Sequence, residues 1–93
     1  MSDVIIEKNP SQDKIQKMGI KKWSIWTKEA SEFPWFYDEE EHCYFLEGEV
    51  EVLNEAGKSF YIQKGDLVTF PQGMSCIWKI KKAVKKHYYF GKL

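Results

Sequence analysis

The chain has 93 residues, enough for one domain with one core, and its 43% hydrophobic and 16% aromatic content excludes a disordered chain. Its 14 basic residues balance 14 acidic ones and are all Lys; without a guanidinium fork for guanine or phosphate, no nucleic-acid partner is expected. No apolar run approaches a membrane span and the first residues lack a basic n-region and an apolar h-region, so no membrane partner and a cytoplasmic setting are expected.

Residues 1–21 are polar and Lys-rich, with Pro10 and Gly19, and read as a partly ordered N-terminal arm; the folded domain is expected over residues 22–93. From Lys22 onward, short aromatic and β-branched runs alternate with turn signals. Trp23–Trp26 reads as a strand and Trp35–Tyr37 as a short one. Glu41–Glu47 and Glu49–Leu53 flank Gly48, and Asn54-Glu55-Ala56-Gly57 reads as a hairpin turn. Ser59–Ile62 follows, then the turn Lys64-Gly65-Asp66, the strand Leu67–Phe70 and the turn Pro71-Gln72-Gly73. Met74–Ile80 and Tyr88–Phe90 complete the set. Regular strand spacing with Gly, Pro and Asn punctuation and no helical period predicts an all-β sandwich or barrel.

Alternation assigns the faces. Glu41, Cys43 and Phe45 share the inner face of their strand, and His42, Tyr44 and Leu46 share the outer one. Val50 and Val52 point inward, as do Cys76, Trp78 and Ile80. The Tyr44 and Leu46 face needs cover from another part of the chain or from a second copy, and a homodimer is expected. Eight of the 14 acids fall in residues 38–55 and six of the 14 lysines in 79–93, which reads as two solvated faces that attract each other. The alternative is an electrostatic contact between protomers. Two cysteines are too few for a disulfide framework, and both are expected as free thiols.

Two segments carry a resemblance. Glu41 is followed by six residues and Gly48, and Gly65-Asp66-Leu67-Val68-Thr69-Phe70-Pro71-Gln72-Gly73-Met74-Ser75-Cys76 has glycine, proline, glycine and a terminal site residue at fixed spacing. These resemble the paired motifs of the cupin superfamily. With Trp23-Ser24-Ile25-Trp26, Phe33-Pro34-Trp35-Phe36-Tyr37 and Lys86-His87-Tyr88-Tyr89-Phe90, the chain is similar to very small single-domain cupins of the ureidoglycine aminohydrolase type, related to ethanolamine-utilisation cupins. The resemblance covers about residues 22–92 and implies a small cupin-type β-barrel (jelly roll). A metal-binding cupin carries His-x-His ahead of the motif glutamate and a third His in the second motif. Those positions here are Trp35, Tyr37 and Cys76, and only the glutamate, Glu41, is retained. A catalytic site wants three protein ligands, so no metal and no cofactor are expected.

The residues left to form a site are Trp35, Tyr37, Glu41, Cys43, Cys76 and Trp78. Glu41 is the candidate catalytic or anchoring group, a buried carboxyl that Tyr37 or backbone donors could satisfy. No lysine is expected on its interior face, so desolvation should favour its neutral form. Both cysteines read more readily as small buried residues than as nucleophiles. Three functions fit this reading: a metal-independent protein binding an unknown small organic ligand in an aromatic-lined pocket, an enzyme using Glu41, and an interaction module with a filled barrel. An acid in an aromatic cup would favour a cationic ligand.

Overall fold

In the computed structural model, which describes residues 4–93, the longest alternating segments become two long strands that organise the rest. In chain order the elements are β1 (Ile5–Lys8), α1 (Gln12–Met18), a 3-10 turn (Ile20–Lys22), β2 (Ser24–Lys28), β3 (Ser31–Phe36), β4 (Glu41–Asn54), β5 (Ser59–Gln63), β6 (Asp66–Phe70) and β7 (Ser75–Phe90). The expected all-β architecture is present as one antiparallel sheet of seven strands. No helix among the described residues is long and apolar enough to cross a membrane.

β4 and β7 lie side by side from Glu41 opposite Phe90 to Asn54 opposite Cys76. β6 pairs with the first part of β4, β5 with its second part, and β1 extends the sheet beyond β6. On the other flank, β2 pairs with residues 84–88 of β7 and β3 with residues 75–80. Pro34 lies on β3, which among the described residues pairs with β7 alone, and a missing N–H on the other side costs no ladder bond. The inner face holds the main core, including Tyr37, Phe45, Val52, Val68, Phe70 and Trp78.

Two expected breaks are absent. Glu41–Glu47 and Glu49–Leu53 are one strand, and Met74–Ile80 and Tyr88–Phe90 are joined through β7. The pairing shifts register between Phe45 and Val50, so the long strands bend without ending. Gly48 sits in this irregular stretch with φ +109°, and a Cβ there would lie 2.7 Å from the Ala83 carbonyl oxygen and 2.8 Å from Val84 Cα. The glycine therefore serves both a left-handed backbone and a close strand approach.

The turns follow their residues. Asn54 Oδ1 accepts hydrogen bonds from the Ala56 and Lys58 N–H groups at 3.0 and 2.9 Å, closing the β4–β5 hairpin. The buried Asp66 carboxylate accepts from Gln63 N–H at 2.9 Å and from Lys8 Nζ at 2.7 Å, tying β1 to the start of β6.

Of residues 1–21, read as a partly ordered arm, residues 4–21 carry β1, α1 and the start of the 3-10 turn, and Met1, Ser2 and Asp3 lie outside the described residues. Ser11 Oγ accepts from the Lys14 N–H at 3.1 Å to cap α1, and Gly19, at φ +67°, ends it. Ile15 and Ile20 then bury against Leu67 in a second, outer cluster joined by Met18, Trp23 and Tyr44. The chain itself thus packs against Tyr44 on this face. The acid-rich and lysine-rich runs face each other within the chain: Glu47, Glu49 and Glu51 lie opposite Lys85, Lys82 and Lys79. Glu49 and Lys82 form an ion pair at 2.8 Å.

The close approach at Gly48 sets a stability test. Gly48→Ala should cost about 3 kcal/mol or more in urea unfolding, combining backbone strain with a clash against fixed backbone atoms. Gly57→Ala, at φ +82° but with nothing within 4 Å of the added Cβ, should cost only about 1–2 kcal/mol. Equal costs for the two would contradict the close β4–β7 contact.

Candidate functional site

Glu41 opens β4 between Phe70 of β6 and Phe90 of β7, and its carboxyl turns inward as expected. The expected lysine-free interior is not what surrounds it. Lys86, opposite Phe45 on β7, also points inward, and its Nζ lies 3.3 Å from Glu41 Oε2. Each side chain is 5% exposed. Lys86 Nζ also donates to Cys43 Sγ at 3.2 Å. Three rings surround the ammonium: Trp78 with its centroid 4.7 Å away, Trp26 at 4.9 Å and Phe45 at 5.9 Å.

This arrangement answers a large cost. Removing one charge from water costs several kcal/mol even after relaxation. Here an opposite charge, a sulfur acceptor and the negative faces of three rings replace the lost water. Burial opposes the charged form of Lys86, but the attraction and hydrogen bonds of Cys43 and Glu41 outweigh it and hold its pKa above the usual lysine range.

A cavity of about 180 Å³ lies beside the pair, lined by Trp26, Phe33, Trp35, Glu41, Trp78, Lys86, Tyr88 and Phe90. The walls are interlocked rings: Phe33 stacks on Trp78 at 6.1 Å, and Trp26 meets Trp78 edge-on at 6.0 Å. Glu41 and Lys86 are the charged residues of the lining.

Of the expected site residues, Trp35, Glu41 and Trp78 reach this cavity, whereas Tyr37, Cys43 and Cys76 lie outside its lining. Tyr37 is stacked on Phe70 at 4.8 Å, and its phenol oxygen accepts from Trp78 Nε1 at 3.0 Å. It therefore orients a wall ring, and the partner of Glu41 is Lys86. Cys43 lies against Lys86, and Cys76 donates weakly to the Trp35 carbonyl at 3.6 Å. Burial pushes the Cys43 thiol up to about 12 against the opposing pull of Lys86, and burial with the nearby Glu41 charge pushes Cys76 up to about 11. Both are protonated thiols at neutral pH and poor nucleophiles. Burial, with smaller contributions from Cys43, Glu41 and Cys76, raises the Tyr37 phenol well above its usual range against the hydrogen bond from Trp78. His42 faces the opposite side of the sheet, as expected, between Thr69 Oγ1 at 3.1 Å and Glu40 Oε2 at 3.0 Å.

Trp26, Phe33, Lys86, Tyr88 and Phe90 are the lining residues that the sequence reading missed. A usable signal was present for three of them. Inward positions Trp78 and Ile80 continue with the same parity to Val84, Lys86, Tyr88 and Phe90 if the strand is carried past Ile80.

The model of the EutQ-like cupin domain family matches residues 15–88. The chain belongs to this family. A DUF861 family protein from Thermotoga maritima is 52% identical over 95% of this chain and 99% of that one, with a TM-score of 0.92. A putative ethanolamine utilization protein Q from Salmonella typhimurium LT2 is 27% identical over 72% of this cupin and 54% of its own length, with a TM-score of 0.66. A DUF861 protein from Pseudomonas syringae is 28% identical over 71% of this cupin and 28% of its own length, with a TM-score of 0.65. No curated protein matches the sequence.

Many cupins hold a metal, and the residues of this one do not fit it. Among the described residues no three His, Cys, Asp or Glu side chains come together as a ligand set. The one glutamate retained by the motif is already paired with the Lys86 ammonium, which holds the place of a cation beside that carboxylate.

The pair makes a measurable coupling. Glu41→Gln leaves a buried ammonium without its counter-charge and should cost about 3 kcal/mol in urea unfolding near neutral pH. Adding Lys86→Met should recover most of that loss, because both charges are then gone. Wild-type stability for Glu41→Gln alone would contradict the ion pair.

Cys43, Cys76, Tyr37 and Lys86 all have folded-state pKa values raised above their unfolded ones. The folded protein keeps protons that the unfolded chain releases first, so their stabilisation is complete below about pH 9 and declines above it. Cys43, raised from 9.0 to about 12, alone removes about 1.4 kcal/mol per pH unit across that window. The urea midpoint should be level up to about pH 8.5 and fall steeply from about 9 to 11. A level profile to pH 11 would contradict these buried proton-holding groups.

Proposed function

We propose that this cupin binds one compact, mainly apolar organic molecule, about the size of a single aromatic ring, without a metal. The observation that carries this reading is the cavity of about 180 Å³ beside the Glu41–Lys86 pair. Apolar cavities of about 150 Å³ take up benzene, so the space suits one ring with a small substituent. Ring walls supply the contact area, and the charged pair supplies a polar end that orients the guest. This favours a binding protein over a module with a filled barrel. Hydrolysis of the ureidoglycine aminohydrolase kind is not part of the reading, because the metal positions which that resemblance implies are Trp35, Tyr37 and Cys76.

The four tryptophans provide an internal control. Trp26, Trp35 and Trp78 line the cavity, whereas Trp23 packs on the outer cluster. In a two-dimensional NMR titration with toluene and other single-ring compounds, the indole N–H signals of Trp26 and Trp78 should move and that of Trp23 should stay. No movement with any of them would contradict the reading.

A further inference from the structure

We infer that Lys86 is a built-in occupant of an organic-cation cage, and that it turns the pocket's selectivity from cations to uncharged carboxamide-like groups. The inference rests on the binding reading above and adds the chemical class of the ligand.

Aromatic faces gathered around an acid ordinarily attract an organic ammonium. In this molecule that place is taken by the chain's own ammonium, 4.7 and 4.9 Å from the Trp78 and Trp26 ring centres and 3.3 Å from Glu41 Oε2. A cationic guest would meet Lys86, and an anionic guest would meet Glu41. Either would lose its hydration in a ring-walled space whose two charges already cancel, so neither gains net counter-charge for that cost. An uncharged group with an acceptor beside a donor meets both ends of the pair. Its carbonyl oxygen accepts from the Lys86 ammonium, which has three donors and commits two, to Glu41 and Cys43. Its N–H donates to the Glu41 carboxylate, which has about four acceptor sites and among the described residues meets Lys86 and Cys43. A primary carboxamide on a small ring is the simplest molecule with both groups adjacent.

The test uses four probes of similar size: benzamide, benzoate, benzylamine and toluene. Their affinities are read from the Trp26 and Trp78 indole signals near neutral pH. Wild-type protein should bind benzamide about tenfold or more tighter than benzoate or benzylamine, and tighter than toluene. Lys86→Met empties the cage and leaves Glu41, so benzylamine should become the preferred probe. The double variant Glu41→Gln/Lys86→Met lacks both charges and should bind toluene while losing the benzylamine preference. It also keeps the test decisive should Lys86→Met alone fail to fold, because benzamide should then have lost its wild-type advantage over toluene. Wild-type protein that binds toluene but ranks benzylamine or benzoate with benzamide would overturn this inference and leave the binding reading standing. An unchanged ranking in Lys86→Met would overturn it equally. Failure of all four probes to bind the wild-type protein would overturn the binding reading and this inference with it.

Discussion

The ammonium of Lys86, held inside a barrel of aromatic rings, is the constraint on which the rest of this structure turns. A lone charge there would undo much of the marginal stability of a 93-residue domain. Its presence therefore dictates its surroundings. Glu41 must open β4 at the right height, Cys43 must offer its sulfur, and Trp26 and Trp78 must turn their faces toward the nitrogen. Tyr37 reaches the same centre at one remove, by accepting from the Trp78 indole.

The backbone is arranged to deliver these groups together. β7 reaches Lys86 only because it continues for 16 residues, and β4 follows it only because Gly48 allows the two backbones to close at the bend. Their outward residues carry complementary charges in register, so the same pairing that builds the interior also places Glu49 beside Lys82 on the outside. The outer face near Tyr44 is closed by Ile15 and Ile20 from the N-terminal helix and turn. The inner face of β4 packs into the main core and Tyr44 on its outer face packs on the N-terminal cluster, while the cavity beside the ion pair remains open.

The inward placement of Glu41, Trp35 and Trp78 was legible because period-2 alternation and the cupin-like spacing agree on it. Lys86 was not, for two physical reasons. The run Lys81-Lys82-Ala83 reads as a break, whereas the paired strands absorb an irregular register there and resume the same inward parity. A lysine is also placed outside by default, and its burial depends on a partner 45 residues away. The short helix escaped for a related reason. Seven residues complete too few turns to show a period, although Ser11, Asp13, Lys17 and Gly19 are ordinary start and stop signals. Its docking is decided by burial of Ile15 and Ile20 against Leu67, a contact that no local pattern encodes.

The most direct test of the account is the state of the Lys86 ammonium itself, observed by nitrogen-detected or proton–nitrogen NMR of the lysine side chains near neutral pH. The account predicts one charged, slowly exchanging ammonium whose neighbouring methylene protons are shifted upfield by the ring currents of Trp26 and Trp78. A Lys86 side chain indistinguishable from the solvent-exposed lysines, in exchange rate and in shift, would contradict it.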